Sequence, residues 1–278
     1  YLYCIDLFKK ACSTVDIEAN FVFGNYNFQS PNSNRCIRID IQHEHTLVKP
    51  GGRGSTGAPI GKINFKEGAY LVRIDRLNYF NSLDIIIDYS LPNLHNVKTS
   101  GLFNEYSAKS IYIAPFLFEV EKPLFKQKTR DCFTSFINIH EPRRKRLLEE
   151  ISHKNLDSVN VTDRFSKKQL AALYNEFKVL INIHQTDHHH TFEELRVLSA
   201  LSKGMVVISE NSPLTDLIPY SEFVIWKDYA EIVDTAKMTS ENYELCWNKT
   251  FNDSFFAKMT QIQDNNLSTI VQKLKELR

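Results

Sequence analysis

The sequence has 278 residues, with 34 Lys and Arg against 33 Asp and Glu, so its formal net charge is +1 at pH 7. Hydrophobic residues make up 42% of the chain and charged residues 24%, which is ordinary for a globular protein. These values exclude a disordered chain, a collagen-like fibre and a protein that binds nucleic acid through bulk charge. The length suits one large domain or two domains of common size.

Short β-like runs dominate the first 120 residues, and a helical pattern occurs only near residues 5–19. The runs that predict strands are Phe21–Phe23, Ile37–Ile41, Tyr70–Ile74, Leu83–Tyr89 and Ile111–Phe118. Five of the nine glycines lie within residues 49–61, which we therefore predict to be a loop.

The chain changes character at residues 119–131, which are charged, contain Pro123 and lack apolar periodicity. We interpret 121–131 as a linker between an N-terminal domain, 1–120, and a C-terminal domain, 132–278. The N-terminal domain is expected to be a β-rich α/β domain.

Strand and helix patterns alternate after the linker. The predicted strands are Phe133–Ile139, Ser158–Val161, Val179–His184 and Met205–Ser209. The predicted helices are Pro142–Ser152, Ser166–Phe177 and Phe192–Lys203, followed by a helical region at 242–278. This alternation predicts a doubly wound α/β domain with a parallel sheet.

Ligands of doubly wound sheets bind beyond the carboxyl ends of the strands. Two predicted strands end almost identically, in Phe136-Ile-Asn-Ile-His140 and Leu180-Ile-Asn-Ile-His184. Both put a His at the expected crevice, although Ile-Asn-Ile is also simply good strand sequence.

The predicted helix after Pro142 begins with Arg143, Arg144, Lys145 and Arg146. Cations at a helix N-terminus oppose the helix dipole, so the arrangement favours a bound anion there. A solvated basic face is the alternative. The helix near residue 192 starts similarly, because Arg196 follows His188, His189 and His190. Two cationic helix starts on adjacent βα units suit a diphosphate. Thr191 and Glu194 have the spacing of a capping box, which gives Glu194 a structural alternative.

Other chemistries have weaker support. The consecutive histidines and His43-Glu44-His45 are poorly spaced for a metal, so we expect no metal site. No P-loop, dinucleotide-binding glycine motif or esterase elbow is present. No apolar run reaches the length of a membrane helix, and the start of the chain does not look like a secretory signal. The five scattered cysteines are interpreted as reduced thiols in a cytoplasmic protein.

The C-terminal half resembles the donor domain of GT-B glycosyltransferases, including exostosin-like enzymes and α-1,3-fucosyltransferases. Arg196 stands eight positions before Gly204, and a short apolar strand follows, as in those families. Residues 219–229 and the stretch after Arg144 add to the likeness, whereas Met205 replaces the usual small residue. Ser199 stands where many retaining members carry Glu, which favours an inverting enzyme.

The resemblance implies two Rossmann-like domains facing a central cleft and a nucleoside diphosphate sugar, with a UDP-sugar favoured, as co-substrate. No cofactor would be required. Arg144 and Arg196 would hold the diphosphate, Glu194 or Glu210 the ribose, and His140, His184 and His190 would complete the donor site. The small size is similar to the compact glycosyltransferases of large algal viruses, among which a xylosyltransferase acting in host cytoplasm is the specific expectation.

The N-terminal half would then bind a glycan or glycoprotein acceptor and supply a base. Asp75, then Asp40, are the preferred candidate bases, with His43 or Glu44 as further candidates. His43, Glu44 and Arg53 are the candidate acceptor-binding residues. Nucleic acid and membrane insertion are not expected. Two alternatives stay open: a non-catalytic module that binds a phosphorylated ligand, and a GT-B-shaped sugar-nucleotide epimerase.

Overall fold

A computed structural model describes residues 2–15, 17, 20–24, 26–28, 35–43, 47–50, 60–65, 68–163, 166–188 and 190–278. The chain forms two compact units. The first unit comprises Tyr1–Pro115, His188–Thr191 and Ile262–Arg278, and the second comprises Phe116–Asp187 and Phe192–Gln261. The predicted domain limits, 1–120 and 132–278, stay a prediction; the compact units differ from them chiefly because the last helical residues group with the first unit.

The first unit is built on a five-stranded sheet whose order is β2-β1-β3-β7-β8 and in which only β2 is antiparallel. Its strands are β1 (Asn20–Phe23), β2 (Tyr26–Phe28), β3 (Cys36–Gln42), β7 (Ile85–Asp88) and β8 (Ser110–Tyr112). Helix α1 (Leu2–Thr14) covers one face, where Phe8, Ile39 and Ile87 share a core cluster. The four strands predicted in this sheet and the first helix are thus confirmed with shifted limits: β1 and β3 are slightly longer than predicted, and β7 and β8 are shorter.

A small antiparallel sheet, in the order β4-β6-β5, accompanies the parallel one. Its strands are β4 (Leu47–Val48), β5 (Ile60–Phe65) and β6 (Gly68–Arg73). Residues 51–59 of the predicted loop lie outside the described residues. The loop prediction is wrong at its end, because Ile60 and Gly61 belong to β5 and pair with Arg73 and Val72.

Among the described residues, the first unit contains three helices that the sequence analysis did not predict: α2 (Leu77–Asn81), α3 (Leu91–Ser100) and α4 (Asn104–Lys109). In α3, Asn93 and Asn96 are buried beside Val97, so the buried face does not read as an apolar stripe. The ends of α3 are nevertheless well marked. Ser90 Oγ accepts a hydrogen bond from Asn93 N at 3.5 Å, and Gly101 adopts a positive φ of 70° after the last turn.

The second unit contains a five-stranded sheet in the order β10-β9-β11-β12-β13, and all of its neighbouring strands are parallel. The strands are β9 (Arg130–Thr134), β10 (Ser158–Asn160), β11 (Phe177–Asn182), β12 (Val206–Glu210) and β13 (Val224–Lys227). The helices are α5 (Pro142–His153), α6 (Lys167–Glu176), α7 (Glu194–Leu201), α8 (Ile232–Glu241) and α9 (Tyr243–Thr250). The predicted doubly wound parallel sheet is confirmed.

Helices cover both faces of this sheet. Leu147 of α5 and Val233 of α8 pack with Ile181 of β11 on one face. On the other, the ring of Tyr174 in α6 lies 5.9 Å from the ring of Phe133 in β9. Counted in chain order, the strands follow the pattern 2-1-3-4-5, whose topological switch point lies between β9 and β11.

Two details of the second unit differ from prediction. Strand β9 ends at Thr134 rather than near Ile139, because the Asn160 side chain takes both backbone hydrogen bonds of Phe136. Ile137 beyond it is 71% exposed. The capping box is also wrong: α7 begins at Glu194 after an N-cap residue, Glu193, that makes no side-chain cap hydrogen bond.

The last helix, α10 (Asp253–Glu276), confirms the predicted helical region. Its second half belongs to the first unit, where Ile270 and Leu274 pack with Phe8 and Ile39. The buried Asn266 accepts a hydrogen bond from Ala114 N and donates one to Ala114 O, each at 2.9 Å. No helix in the described part of the chain is both long enough and apolar enough to cross a membrane.

Candidate functional site

The switch point of the second unit brings together the two predicted cationic helix starts. Helix α5 follows β9 and carries Arg143 and Arg144 in its first turn, and α7 follows β11 and carries Arg196. Helices leave adjacent parallel strands in different directions at such a point, which opens a crevice at the carboxyl edge of the sheet. Arg143 and Arg144 are buried and Arg196 is half-buried, so they do not form a solvated basic face.

Arg143 is neutralised within the protein. Its Nη1 lies 2.5 Å from Glu210 Oε2, its Nη2 bonds Glu210 Oε1, and its Nε donates to Asp187 Oδ1 at 2.7 Å. The guanidinium also lies 4.1 Å from the centre of the Tyr229 ring. A two-point Arg–carboxylate pair of this kind fixes both side chains.

Glu210, at the end of β12, is held by this pair. Burial opposes its charged form, but the hydrogen bond from Arg143 and the nearby charges outweigh burial and lower the pKa of Glu210 below its ordinary value. Glu210 Oε2 also accepts a hydrogen bond from His184 N at 3.0 Å. The His184 ring is buried, and its Nε2 lies 3.0 Å from Asn211 O. Glu210 and His184 are therefore held in place at the carboxyl edge of the sheet by hydrogen bonds within the protein.

Arg144 is buried without such a carboxylate pair in the part of the chain that the structure describes. Its guanidinium lies 4.9 Å from the centre of the Phe136 ring, and its Nε has no hydrogen-bond partner among the described residues. Burial and repulsion by Arg196 lower the pKa of Arg144 to about 10, although Glu193 and Glu141 attract the cation. Since arginine stays charged at neutral pH, Arg144 is a buried cation that no directly paired carboxylate among the described residues neutralises.

Arg196 is held by an amide. Its Nη1 donates to Asn182 Oδ1, the last residue of β11, at 2.9 Å. Within the described residues neither Arg196 nor Arg144 forms an ion pair with a carboxylate. The charge of Arg196 lowers the pKa of Arg144, and no carboxylate among the described residues forms an ion pair with either arginine, an arrangement that suits an anion-binding site.

The remaining predicted donor-binding residues lie in different settings. Glu194 is fully buried, and its Oε2 accepts a hydrogen bond from Tyr220 Oη at 2.8 Å. His140 is exposed in the loop before α5. His190 belongs to the first unit, where its Nδ1 lies 3.3 Å from Tyr70 Oη. Of these residues, Glu194 lies on the helix that carries Arg196, whereas His190 belongs to the other compact unit.

The candidate bases of the first unit both have polar partners. Asp40 is buried on β3, and its Oδ2 accepts a hydrogen bond from Tyr79 Oη at 2.6 Å. Asp75 is half-buried in the turn after β6 and pairs with Arg73. His43 is exposed directly after β3, whereas Glu44 and Arg53 lie outside the described residues.

One buried acid of the first unit was not predicted. Asp88 ends β7, opposite Gln42 of β3 and Tyr112 of β8, and its side chain is 0% exposed. Its Oδ1 accepts hydrogen bonds from Ser90 N at 2.9 Å and Asn93 Nδ2 at 3.5 Å, but its Oδ2 has no partner among the described residues. Burial raises the pKa of Asp88 to about 7.

The sequence signal for Asp88 was available. An Asp that ends the apolar run Ile85-Ile-Ile-Asp88 is placed at the carboxyl edge of a parallel strand, as is Asn182 after Leu180-Ile. Asp40 and Asp75 are predicted near strand ends from the sequence, and the same criterion applies to Asp88 and Asn182. Among the described residues, no group of three or more His, Cys, Asp or Glu is arranged to hold a metal ion.

The chain has the α/β fold of GT-B glycosyltransferases, with parallel sheets in both units. Among solved structures, a mutant of S. aureus TarM, in complex with Fondaparinux, alpha-GlcNAc-glycerol and UDP, matches with a TM-score of 0.51 and 10% identity. The match covers 88% of this chain and 51% of the TarM chain, so this chain spans about half the length of that structure.

The sequence relatives are viral. Uncharacterized protein R358 of Acanthamoeba polyphaga mimivirus is 28% identical over 223 residues, which cover 74% of each chain. Uncharacterized protein L140 of the same virus is 24% identical over 205 residues, covering 72% of this chain and 63% of L140. No protein-family model matches the chain.

Proposed function

We propose that this chain is a glycosyltransferase that moves a sugar from a nucleoside diphosphate sugar, with a UDP-sugar favoured, to a glycan acceptor. The observation that carries the proposal is the pair Arg144 and Arg196 at the switch point of the second unit, which has no carboxylate partner among the described residues. A diphosphate supplies the missing negative charge, and the resulting charge-assisted hydrogen bonds are strong. UDP is also present in the TarM complex with a similar fold.

The reaction we propose is an inverting, metal-independent transfer. The acceptor oxygen forms a bond to the anomeric carbon, the bond from that carbon to the diphosphate oxygen breaks, and a carboxylate takes the acceptor proton. Arg144 and Arg196 stabilise the diphosphate that leaves. We assign the proton to Asp75 first and to Asp40 second, and we assign acceptor binding to the first unit. Xylose as the sugar and host cytoplasm as the location are further parts of this proposal.

Glu194 or Glu210 would hold the ribose of the donor. Both oxygens of Glu210 are engaged by Arg143. Glu194 lies at the start of α7, two residues before Arg196. Glu194 is fully buried and accepts a hydrogen bond from Tyr220 Oη, so either carboxylate would have to exchange a present partner for a ribose hydroxyl.

Thermal-shift and calorimetric titrations with UDP-, GDP-, dTDP- and CMP-sugars test the donor assignment, because a ligand that binds the folded state raises the melting temperature. We expect one nucleotide to bind, and Arg144→Ala to weaken its binding by about 1–3 kcal/mol through loss of a charge-assisted contact. Lys145→Ala is the matched control: it removes a neighbouring, exposed cation of the same helix. Equal affinity in the wild type and Arg144→Ala would contradict the site, and no binding by any nucleotide would contradict the function.

A further inference from the structure

Three arginines at the carboxyl edge of the second unit are held by three different kinds of partner. Arg143 is held by the carboxylates of Glu210 and Asp187. Arg144 faces the ring of Phe136, and Arg196 is held by the amide of Asn182. Only the first kind of partner cancels the positive charge, because an aromatic ring and an amide carry no net charge.

The amide of Asn182 has a defined orientation. Its Nδ2 donates to Ser209 Oγ at 2.9 Å, and its strand pairs in register so that Asn182 lies opposite Ser209. With the donor end directed at Ser209, the acceptor end, Oδ1, faces Arg196 Nη1 at 2.9 Å. Both Asn182 and Ser209 are buried, which restricts their side chains to this arrangement.

A carboxylate at position 182 would hold Arg196 more firmly than an amide does. Charge-assisted pairs are shorter and stronger than hydrogen bonds to a neutral acceptor. Such a pair would also cancel the charge of Arg196, as Glu210 cancels that of Arg143. Asn182 therefore stabilises the fold less than an Asp would, but it orients Arg196 and leaves the positive charge of Arg196 available to a ligand.

We propose that Asn182 is a positioning residue that directs Arg196 toward an anionic ligand and, as a neutral amide, keeps the site cationic. The inference rests on the proposed donor site but not on the nucleotide, since any diphosphate tests it. Asn182 acts through Arg196, and no contact between Asn182 and the ligand is required.

Asn182→Asp is the decisive variant, because Asp has the same shape and the hydroxyl hydrogen of Ser209, which now points to Glu210 O at 3.3 Å, can turn toward it without moving the side chain. Inorganic pyrophosphate is the probe, titrated calorimetrically into the full chain at two ionic strengths. We expect affinity to fall by about tenfold or more and to depend less on salt, because the site has lost one positive charge. The melting temperature should not fall.

Two further variants separate charge from folding. Asn248 is an exposed residue of α9, so Asn248→Asp adds the same charge at the surface and should leave pyrophosphate affinity unchanged. Ser209→Ala removes the partner that orients the Asn182 amide and should weaken affinity a few-fold without a change of charge. A purely structural role for Asn182 predicts instead a lower melting temperature in Asn182→Asp with unaltered salt dependence.

The outcomes distinguish this inference from the proposed function. Unchanged pyrophosphate affinity in Asn182→Asp overturns the inference, even if UDP binds. Pyrophosphate binding that is lost in Asn182→Asp, in a protein that binds no nucleotide, supports the inference and overturns the proposed function. A wild-type protein that binds neither pyrophosphate nor nucleotide overturns both.

Discussion

Buried ionisable side chains in this chain differ in whether an opposite charge accompanies them. Glu210 is buried against Arg143, which lowers its pKa, whereas Asp88 is buried among uncharged groups, which raises its pKa to about 7. A buried carboxylate with one unpartnered oxygen reduces stability whenever it is ionised. The pH dependence of stability should therefore reveal Asp88.

Asp88→Asn should stabilise the protein at pH 8. The folded-state pKa of Asp88 is about 7, above the ordinary value of 3.8, so the folded state binds more protons between these values and stability falls as pH rises through them. Each unit of pKa shift corresponds to about 1.4 kcal/mol, so the gain in unfolding free energy should reach a few kcal/mol at pH 8 and vanish near pH 4. Asn keeps an acceptor for Ser90 N.

Urea unfolding at several pH values measures this effect, with the exposed Asp216→Asn as control. A variant that is less stable than the wild type at pH 8 would show that the charge of Asp88 is favourable.

At the scale of elements, the junction between α7 and β12 depends on one glycine. Gly204 has a positive φ of 68°, and a Cβ added there would lie 3.2 Å from Pro123 Cβ. Its carbonyl accepts hydrogen bonds from Trp247 Nε1 at 2.9 Å and Lys128 Nζ at 3.2 Å. This turn links the helix of Arg196 to the strand that ends in Glu210.

Gly204→Ala should destabilise the protein more than Gly101→Ala does. The two glycines share nearly the same φ, but a Cβ at Gly101 meets nothing within 4 Å. Left-handed strain costs about 1–2 kcal/mol in either variant, and contact with Pro123 adds to it only at Gly204. The measurement is the midpoint of urea unfolding of each variant. Equal midpoints would mean that the segment around Pro123 moves aside without loss of stability.

Most elements were predictable because their patterns are local. The alternation of the second half identified the parallel sheet and placed Arg144 and Arg196 at its edge. Helix α3 was missed because buried Asn93 and Asn96 interrupt its apolar face. The strand at Phe136 was overextended because a distant side chain, Asn160, takes over its backbone hydrogen bonds.

The site was predictable in position but not in its division of roles. Sequence placed Arg143 and Arg144 side by side, and their different partners, Glu210 and Phe136, come from other strands and loops. The neutral partner of Arg196, Asn182, depends likewise on the register of β11 with β12. Partner choice of this kind is tertiary and has no local pattern.

At the scale of the whole molecule, the proposal assigns donor binding and proton removal to different units. Asp75→Asn should then abolish transfer, a loss of about 10²–10⁴-fold, while donor affinity stays at its wild-type value. The measurement pairs calorimetric titration of the donor with a product assay in the presence of acceptor. Retained turnover would move the base to Asp40, and Asp40→Asn made in parallel decides between them.

Helix α10 has a consequence for how the protein is made. Asn266 Nδ2 donates to Tyr3 Oη across 263 residues, and Ile270 completes the core around Phe8. On a ribosome, which adds about 5–20 residues each second, the early strands emerge long before this partner exists. The second unit has all of its strands by Lys227 and can close first. The strands of the first unit are therefore translated well before the α10 residues that complete their core, so this core can form only after the second unit has been made.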